Sequence, residues 1–226
     1  MAKTIEALTP AAFNKALGIL KKRDPDLEAV LSAFGPPPFW KRPPGFPTLV
    51  RIILEQQVSL SSARAAFDRL VQSVPVLTPE EFQKLDGPVL RRFGFSRQKA
   101  LYCSLLAESI QKGFLDLDRV RKMEDDQARR TLIKIKGIGR WTADIYLLMA
   151  LRRPDIWPVG DLALAAAVQQ VKRLEKKPAP EELEDLSLAW EPWRAVAARI
   201  FWHHYLGSKK SNPIGSKETG RTSDNS

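Results

Sequence analysis

The chain has one cysteine in 226 residues, two histidines that stand side by side, and no uninterrupted apolar run of membrane length. The lone thiol, Cys103, can form neither an internal disulfide nor a four-cysteine iron-sulfur cluster. His203 and His204, being adjacent, point to different sides of a helix, so metal catalysis through side chains is not expected. Alternating apolar and polar residues of the kind that make strands are scarce. The first twenty residues mix charge with apolar positions at helical spacing, unlike a secretion signal. These absences read as a soluble intracellular protein with an ordinary core.

Positive charge is abundant, with 36 basic residues against 26 acidic ones. The Gly/Ser-rich end, residues 209 to 226, holds four basic and two acidic residues, so +8 of the +10 belongs to the remainder. A field of that sign favours polyanions such as nucleic acid or an anionic membrane. The end itself has too little apolar surface to order and is expected to be a disordered tail.

Apolar residues recur at helical spacing in 11 to 22, 26 to 34, 48 to 57, 61 to 73, 97 to 112, 125 to 134, 141 to 151, 161 to 174, 181 to 189 and 192 to 206. Proline- and glycine-rich breakers fall between them, as in "GPPPFWKRPPGFP" at 35 to 47 and "RRPDIWPVG" at 152 to 160. The pattern predicts an all-α chain.

The stretch "KIKGIGRWTADIYLLMA", residues 134 to 150, sets two glycines one residue apart between two helical segments. Asp125 or Asp126 can cap the first of these helices. Gly137 and Gly139 permit positive φ and remove Cβ atoms from a surface that another molecule could approach, while Ile135 and Ile138 can pin the turn to the core. The following helix begins at once, and its free amides suit a phosphate oxygen. Lys134, Lys136 and Arg140 add attraction that is independent of sequence. A glycine-capped tight turn with solvated charges would look the same.

With "LIKIKGIGRWTADIYLL" at 132 to 148, three further stretches stand in order: "FPTLVRIILEQQVS" at 46 to 59, "WPVGDLAL" at 157 to 164 and "WEPWRAVAARIFWHHYLG" at 190 to 207. Together they resemble the helix-hairpin-helix superfamily of base-excision DNA glycosylases, and most of all its 3-methyladenine DNA glycosylase II branch in a compact form. The resemblance implies a two-lobed all-α fold with the active site in the cleft between lobes. One lobe would run from about 46 to 155, and the other would combine residues 1 to 45 with 156 to 208. It implies hydrolysis of the N-glycosidic bond of alkylated purines in double-stranded DNA by a monomer, with no required cofactor. The amides of Gly137, Gly139 and Thr142 would hold a phosphate, with Arg140 beside them. The carbonyls of Ile133, Ile135 and Ile138 would coordinate a structural monovalent cation. Strand-cleaving relatives carry a lysine where this chain has Trp141, which implies excision without lyase chemistry.

Asp161 opens the helix "DLALAAAVQQVKRL" and reads from spacing as an N-cap; the resemblance makes it also the catalytic aspartate. The helix dipole and amides favour a charged carboxylate there, suited to stabilising a sugar cation rather than to donating a proton. Asp144, one turn beyond Trp141, is expected on the helix surface. Trp141, Tyr146 and Trp202 are candidates for an aromatic pocket around a flipped base, or for core packing. The resemblance places Gln57, in the turn after an apolar helix, where the family inserts a wedge into the vacated stack; from the residues alone it reads equally as a solvated glutamine. The rival readings are excision of a deaminated or oxidised base, a non-catalytic DNA-binding module, and an all-α scaffold.

Overall fold

The computed structural model describes residues 6–211, and within them every regular element is helical. In chain order these are α1 (Pro10–Arg23), α2 (Pro25–Phe34), α3 (Phe46–Glu55), α4 (Leu60–Gln72), α5 (Pro79–Gln83), α6 (Gly87–Arg92), α7 (Arg97–Gln111), α8 (Leu117–Lys122), α9 (Asp125–Ile133), α10 (Arg140–Met149), α11 (Leu162–Val171), α12 (Pro180–Ser187) and α13 (Arg194–Ser211). A single 3-10 turn, Leu188–Trp190, precedes α13. None of these helices is long and apolar enough to cross a membrane. The tail expected from residue 209 lies largely outside the described residues, and α13 continues to Ser211.

Several prolines that the sequence offers as breakers act as starters. Helices α1, α2, α3, α5, α6 and α12 carry proline in the first two positions, where the missing N–H has no helical partner to lose. Side-chain caps fix four of these same helices and three more: Thr9, Asp24, Thr78 and Asp86, and then Ser59, Ser96 and Asp116, each accept an amide of the turn they open. The start of α9 differs from expectation. Glu124 occupies the cap position without a side-chain hydrogen bond, and Asp125 and Asp126 fall inside the first turn, where they complement the dipole.

The helices gather into two groups. In one, α3 packs on α4, α7 and α10, with α5 on α7 and α9 on α10. In the other, α13 packs on α1, α2 and α11. Residues 35–45 and 150–161 run between the groups. α10 is the helix at the seam, and Thr142 through Leu148 are all buried.

On α10 the structure corrects the pocket reading of Tyr146, in favour of core packing, and the surface reading of Asp144. Tyr146 is fully buried, and its hydroxyl accepts the Gly45 N–H at 3.0 Å. At 3.6 residues per turn a residue five positions beyond Trp141 lies about 140° round the helix, which turns Tyr146 into the core; Ile145 shares the Trp141 face. Asp144 is fully buried rather than on the surface, with Arg129 Nε donating to it at 2.6 Å and Arg140 at 3.8 Å. Burial pushes its carboxyl up to about 6, against the opposing pull of Arg129 and then Arg140.

Because the folded Asp144 holds its proton to higher pH than the unfolded chain does, its contribution to stability is full below about pH 4 and is lost as pH rises through about 6. Unfolding of the wild type and of Asp144→Asn by urea at a series of pH values checks this. The wild type should lose up to about 3 kcal/mol relative to the variant between those limits. A constant difference across that range would contradict the assignment.

Candidate active site and nucleic-acid interface

Asp161 sits where three helices converge. The preceding turn is closed by the Asp161 N–H donating to Pro158 O at 3.2 Å, with Gly160 at φ +86°. One carboxylate oxygen, Oδ1, accepts the Leu164 amide at 2.7 Å, which makes Asp161 the N-cap of α11. The same oxygen accepts Trp202 Nε1 of α13 at 3.2 Å, while Oδ2 accepts Trp141 Nε1 of α10 at 2.9 Å. A carboxylate can accept about four hydrogen bonds, so one acceptor position on Oδ2 is left over. The group is therefore held in one orientation by donors from both sides of the seam, partly exposed, with capacity for one more partner. Leu162, immediately after it, is 76% exposed.

Two of the three expected aromatic residues, Trp141 and Trp202, meet at this carboxylate; Tyr146 does not. Trp190 packs in the core with its Nε1 on Asp24, at 2.8 Å.

The hairpin between α9 and α10 uses its glycines differently. Gly137 has φ +96°, and a Cβ there would stand 2.3 Å from Tyr102 Cγ, so both backbone and packing require glycine. Gly139 has φ −87° and nothing within 4 Å of a Cβ built on it. Its glycine is not demanded by the fold. The first turn of α10 has no side-chain cap, which leaves its amide end to whatever approaches from outside. Ile135 and Ile138 are buried as expected, and Ile133 is exposed. Lys134 and Lys136 are exposed, but Arg140 shares its charge with Glu184 of α12 and with Asp144.

A groove of about 400 Å³ runs between this hairpin, the turn after α3 and the start of α7. Gln57 stands on its edge, exposed and at φ +55°, a left-handed conformation that a non-glycine residue adopts at a cost of order 1 kcal/mol. Its neighbour Gln56 was not singled out from sequence, yet its Nε2 donates at 2.9 Å both to Gly137 O and to Thr142 Oγ1. One side chain thus ties the turn to the hairpin. Lys99 also lies in the groove. Its Nζ donates to Leu54 O at 2.6 Å, and burial lowers its pKa. Neither contact has a sequence signal beyond a polar residue near a helix end.

A paired-helix hairpin with an open amide end, together with one oriented and partly exposed carboxylate where the two groups of helices meet, defines a protein of the helix-hairpin-helix base-excision class. Residues 50–194 match the model of the HhH-GPD superfamily base excision DNA repair proteins, and the chain belongs to that family. It is similar to DNA-3-methyladenine glycosylase 1 of Schizosaccharomyces pombe, 28% identical over 174 residues covering 75% of this chain and 76% of that one. It is 32% identical to Bacillus subtilis YfjP over 162 residues, 68% of this chain but only 56% of YfjP's length. Among solved structures, the S. pombe enzyme Mag1 in complex with abasic DNA superposes with a TM-score of 0.78 at 25% identity, over 91% of this chain and all of that one.

The two glycines yield a contrast. Gly139→Val should fold with stability within about 1 kcal/mol of wild type and bind damaged and undamaged duplex about equally weakly, since phosphate contacts carry no sequence information. Gly137→Ala should instead be destabilised by roughly 2 kcal/mol or more through clash and strain. Urea unfolding and duplex titrations separate the two; a Gly139→Val protein that binds duplex normally removes the hairpin from the interface.

Proposed function

We propose that the protein is a monofunctional DNA glycosylase that hydrolyses the N-glycosidic bond of alkylated purines in duplex DNA and leaves an abasic site. The observation that carries this reading is Asp161, held by three N–H donors from α10, α11 and α13 with one acceptor position to spare. Family membership and the names of the relatives support it.

A base inside a duplex must leave the stack before a side chain can reach its glycosidic bond. Gln57 fills the vacated place, and the amides at Gly137, Gly139 and Thr142 grip a backbone phosphate. The Thr142 hydroxyl accepts Gln56 Nε2 at 2.9 Å, so the amide is the group assigned to the phosphate. As the base departs, positive charge grows on the sugar, and the preorganised Asp161 carboxylate stabilises it. An alkylated purine that already carries positive charge leaves without full protonation, so no second acid is required. Trp141 and Trp202 position the carboxylate and border the place where the base is received. The carbonyls of Ile133, Ile135 and Ile138 offer the hard oxygen donors that a monovalent cation takes, although Ile135 O already accepts the Ile138 N–H at 3.0 Å. Such a cation would supply positive charge beside the phosphate.

Asp161→Asn tests the chemistry. Asparagine keeps the cap on Leu164 but turns an NH₂ group toward Trp141 Nε1, so a stability loss of about 1 to 2 kcal/mol is expected. Single-turnover excision should fall by two or more orders of magnitude, about 3 kcal/mol, while lesion duplex still binds. Trp141→Phe loses the same hydrogen bond but keeps the carboxylate, and should fall much less. A folded Asp161→Asn protein that excises methylated bases at nearly the original rate overturns the mechanism.

Borohydride should trap no covalent adduct with lesion or abasic duplex, because an indole stands where strand-cleaving relatives place an amine and the Lys99 amine is engaged with Leu54 O. Efficient trapping with coupled strand cleavage would refute the monofunctional assignment.

A further inference from the structure

At the other end of α10 from the hairpin, about 15 Å along the helix, lies a second concavity of about 450 Å³. Five of its ten lining residues are basic, namely Lys41, Arg42, Arg121, Arg152 and Arg153, and none is acidic. Two of these cations are engaged: Arg42 makes a two-pronged pair with Glu55 at 2.8 Å, and Arg153 is buried with its Nε 3.3 Å from Asp125. Lys41, Arg121 and Arg152 have no carboxylate partner among the described residues. Arg152 is also held at φ +57°, with its carbonyl accepting the Leu8 N–H at 2.7 Å and the next residue anchored on the carbonyls of Arg121 and Met123. Among the described residues the Arg152 side chain is left to face the concavity with Lys41 and Arg121.

The carbonyl end of a helix ordinarily repels anions. Here that end is covered. Tyr146 O accepts the Ala150 and Leu151 amides, Leu147 O the Arg153 amide, Leu148 O a guanidinium N–H of Arg199, and Met149 O the Arg42 amide. The charged residues that line the pocket are all cations.

We propose that this pocket binds a phosphate-bearing anion at a site separate from the hairpin. Three unpaired cations around a concavity of this size match the charge of one pyrophosphate or of neighbouring phosphates on a nucleic-acid backbone. The site does not depend on the excision chemistry and would stand if that reading failed.

The test uses the full chain and the triple variant Lys41→Ala, Arg121→Ala, Arg152→Gly. Glycine accepts the left-handed backbone at 152, and alanine at 121 keeps the carbonyl that Arg153 needs, so the fold is retained. Inorganic pyrophosphate, titrated calorimetrically, should bind the wild type at least tenfold more tightly than the variant. If the phosphate comes from nucleic acid, the wild type should also take up a second undamaged duplex that the variant does not, with a salt dependence of log K steeper by up to about three. Equal duplex uptake with unequal pyrophosphate binding identifies a free anion as the occupant. Pyrophosphate binding within twofold in the two proteins overturns the proposal. So does a loss of single-turnover excision in the variant that matches its loss of anion binding, because the pocket would then belong to the hairpin-side surface.

Discussion

The carbonyl end of α10 is where the two groups of helices are tied together, and the geometry of the candidate active site depends on that tie. Arg199 of α13 is fully buried, donating to Ala195 O on its own helix, to Trp40 O on the segment between the groups, and to Leu148 O on α10. Burial lowers its pKa to about 10, which still leaves it charged at neutral pH. A buried cation facing carbonyl dipoles rather than a carboxylate is costly to strip of a partner, so the three elements it joins are locked in place. Trp202 lies three residues along α13 from Arg199, and Trp141 lies in the first turn of the helix whose last turn Arg199 binds. The two indoles can meet one carboxylate because their helices are fixed at this other point.

The site joins backbone and side-chain devices that are individually ordinary. An aspartate cap, a glycine at positive φ and a bridging glutamine occur in many folds. What distinguishes this arrangement is that each device serves more than one neighbour. Asp161 caps α11 and also receives an indole from each group of helices. Gly137 makes room for Tyr102, and its carbonyl receives Gln56.

Much of this was readable in the chain itself. The long helices followed from their periodicity, the hairpin from its glycines, and the cap role of Asp161 from its place before an apolar run. The short helices α5, α6 and α8 did not follow, since five or six residues give too little periodicity to detect. For Tyr146 the sequence left pocket and core both open, because aromatic character suits either and only its angular position on α10 decides for the core. Asp144 looked like a surface residue because its partner Arg129 comes from another helix, and no local pattern announces a tertiary ion pair. The basic pocket was hidden for the same reason: Lys41, Arg121 and Arg152 are far apart in sequence and meet only in the fold.

The paired hydrogen bonds of Gln56 have a mechanical meaning. They anchor the turn bearing Gln57 and the hairpin to one side chain, so the span between them is a fixed gauge rather than an adjustable gap. On the proposed function, one end of that gauge grips the phosphate backbone and the other occupies the stack. A duplex that satisfies both must itself bend or open, and steps weakened by a poorly stacked base yield at lowest energy. The softness of the DNA is then sampled before any atom of the altered base is touched.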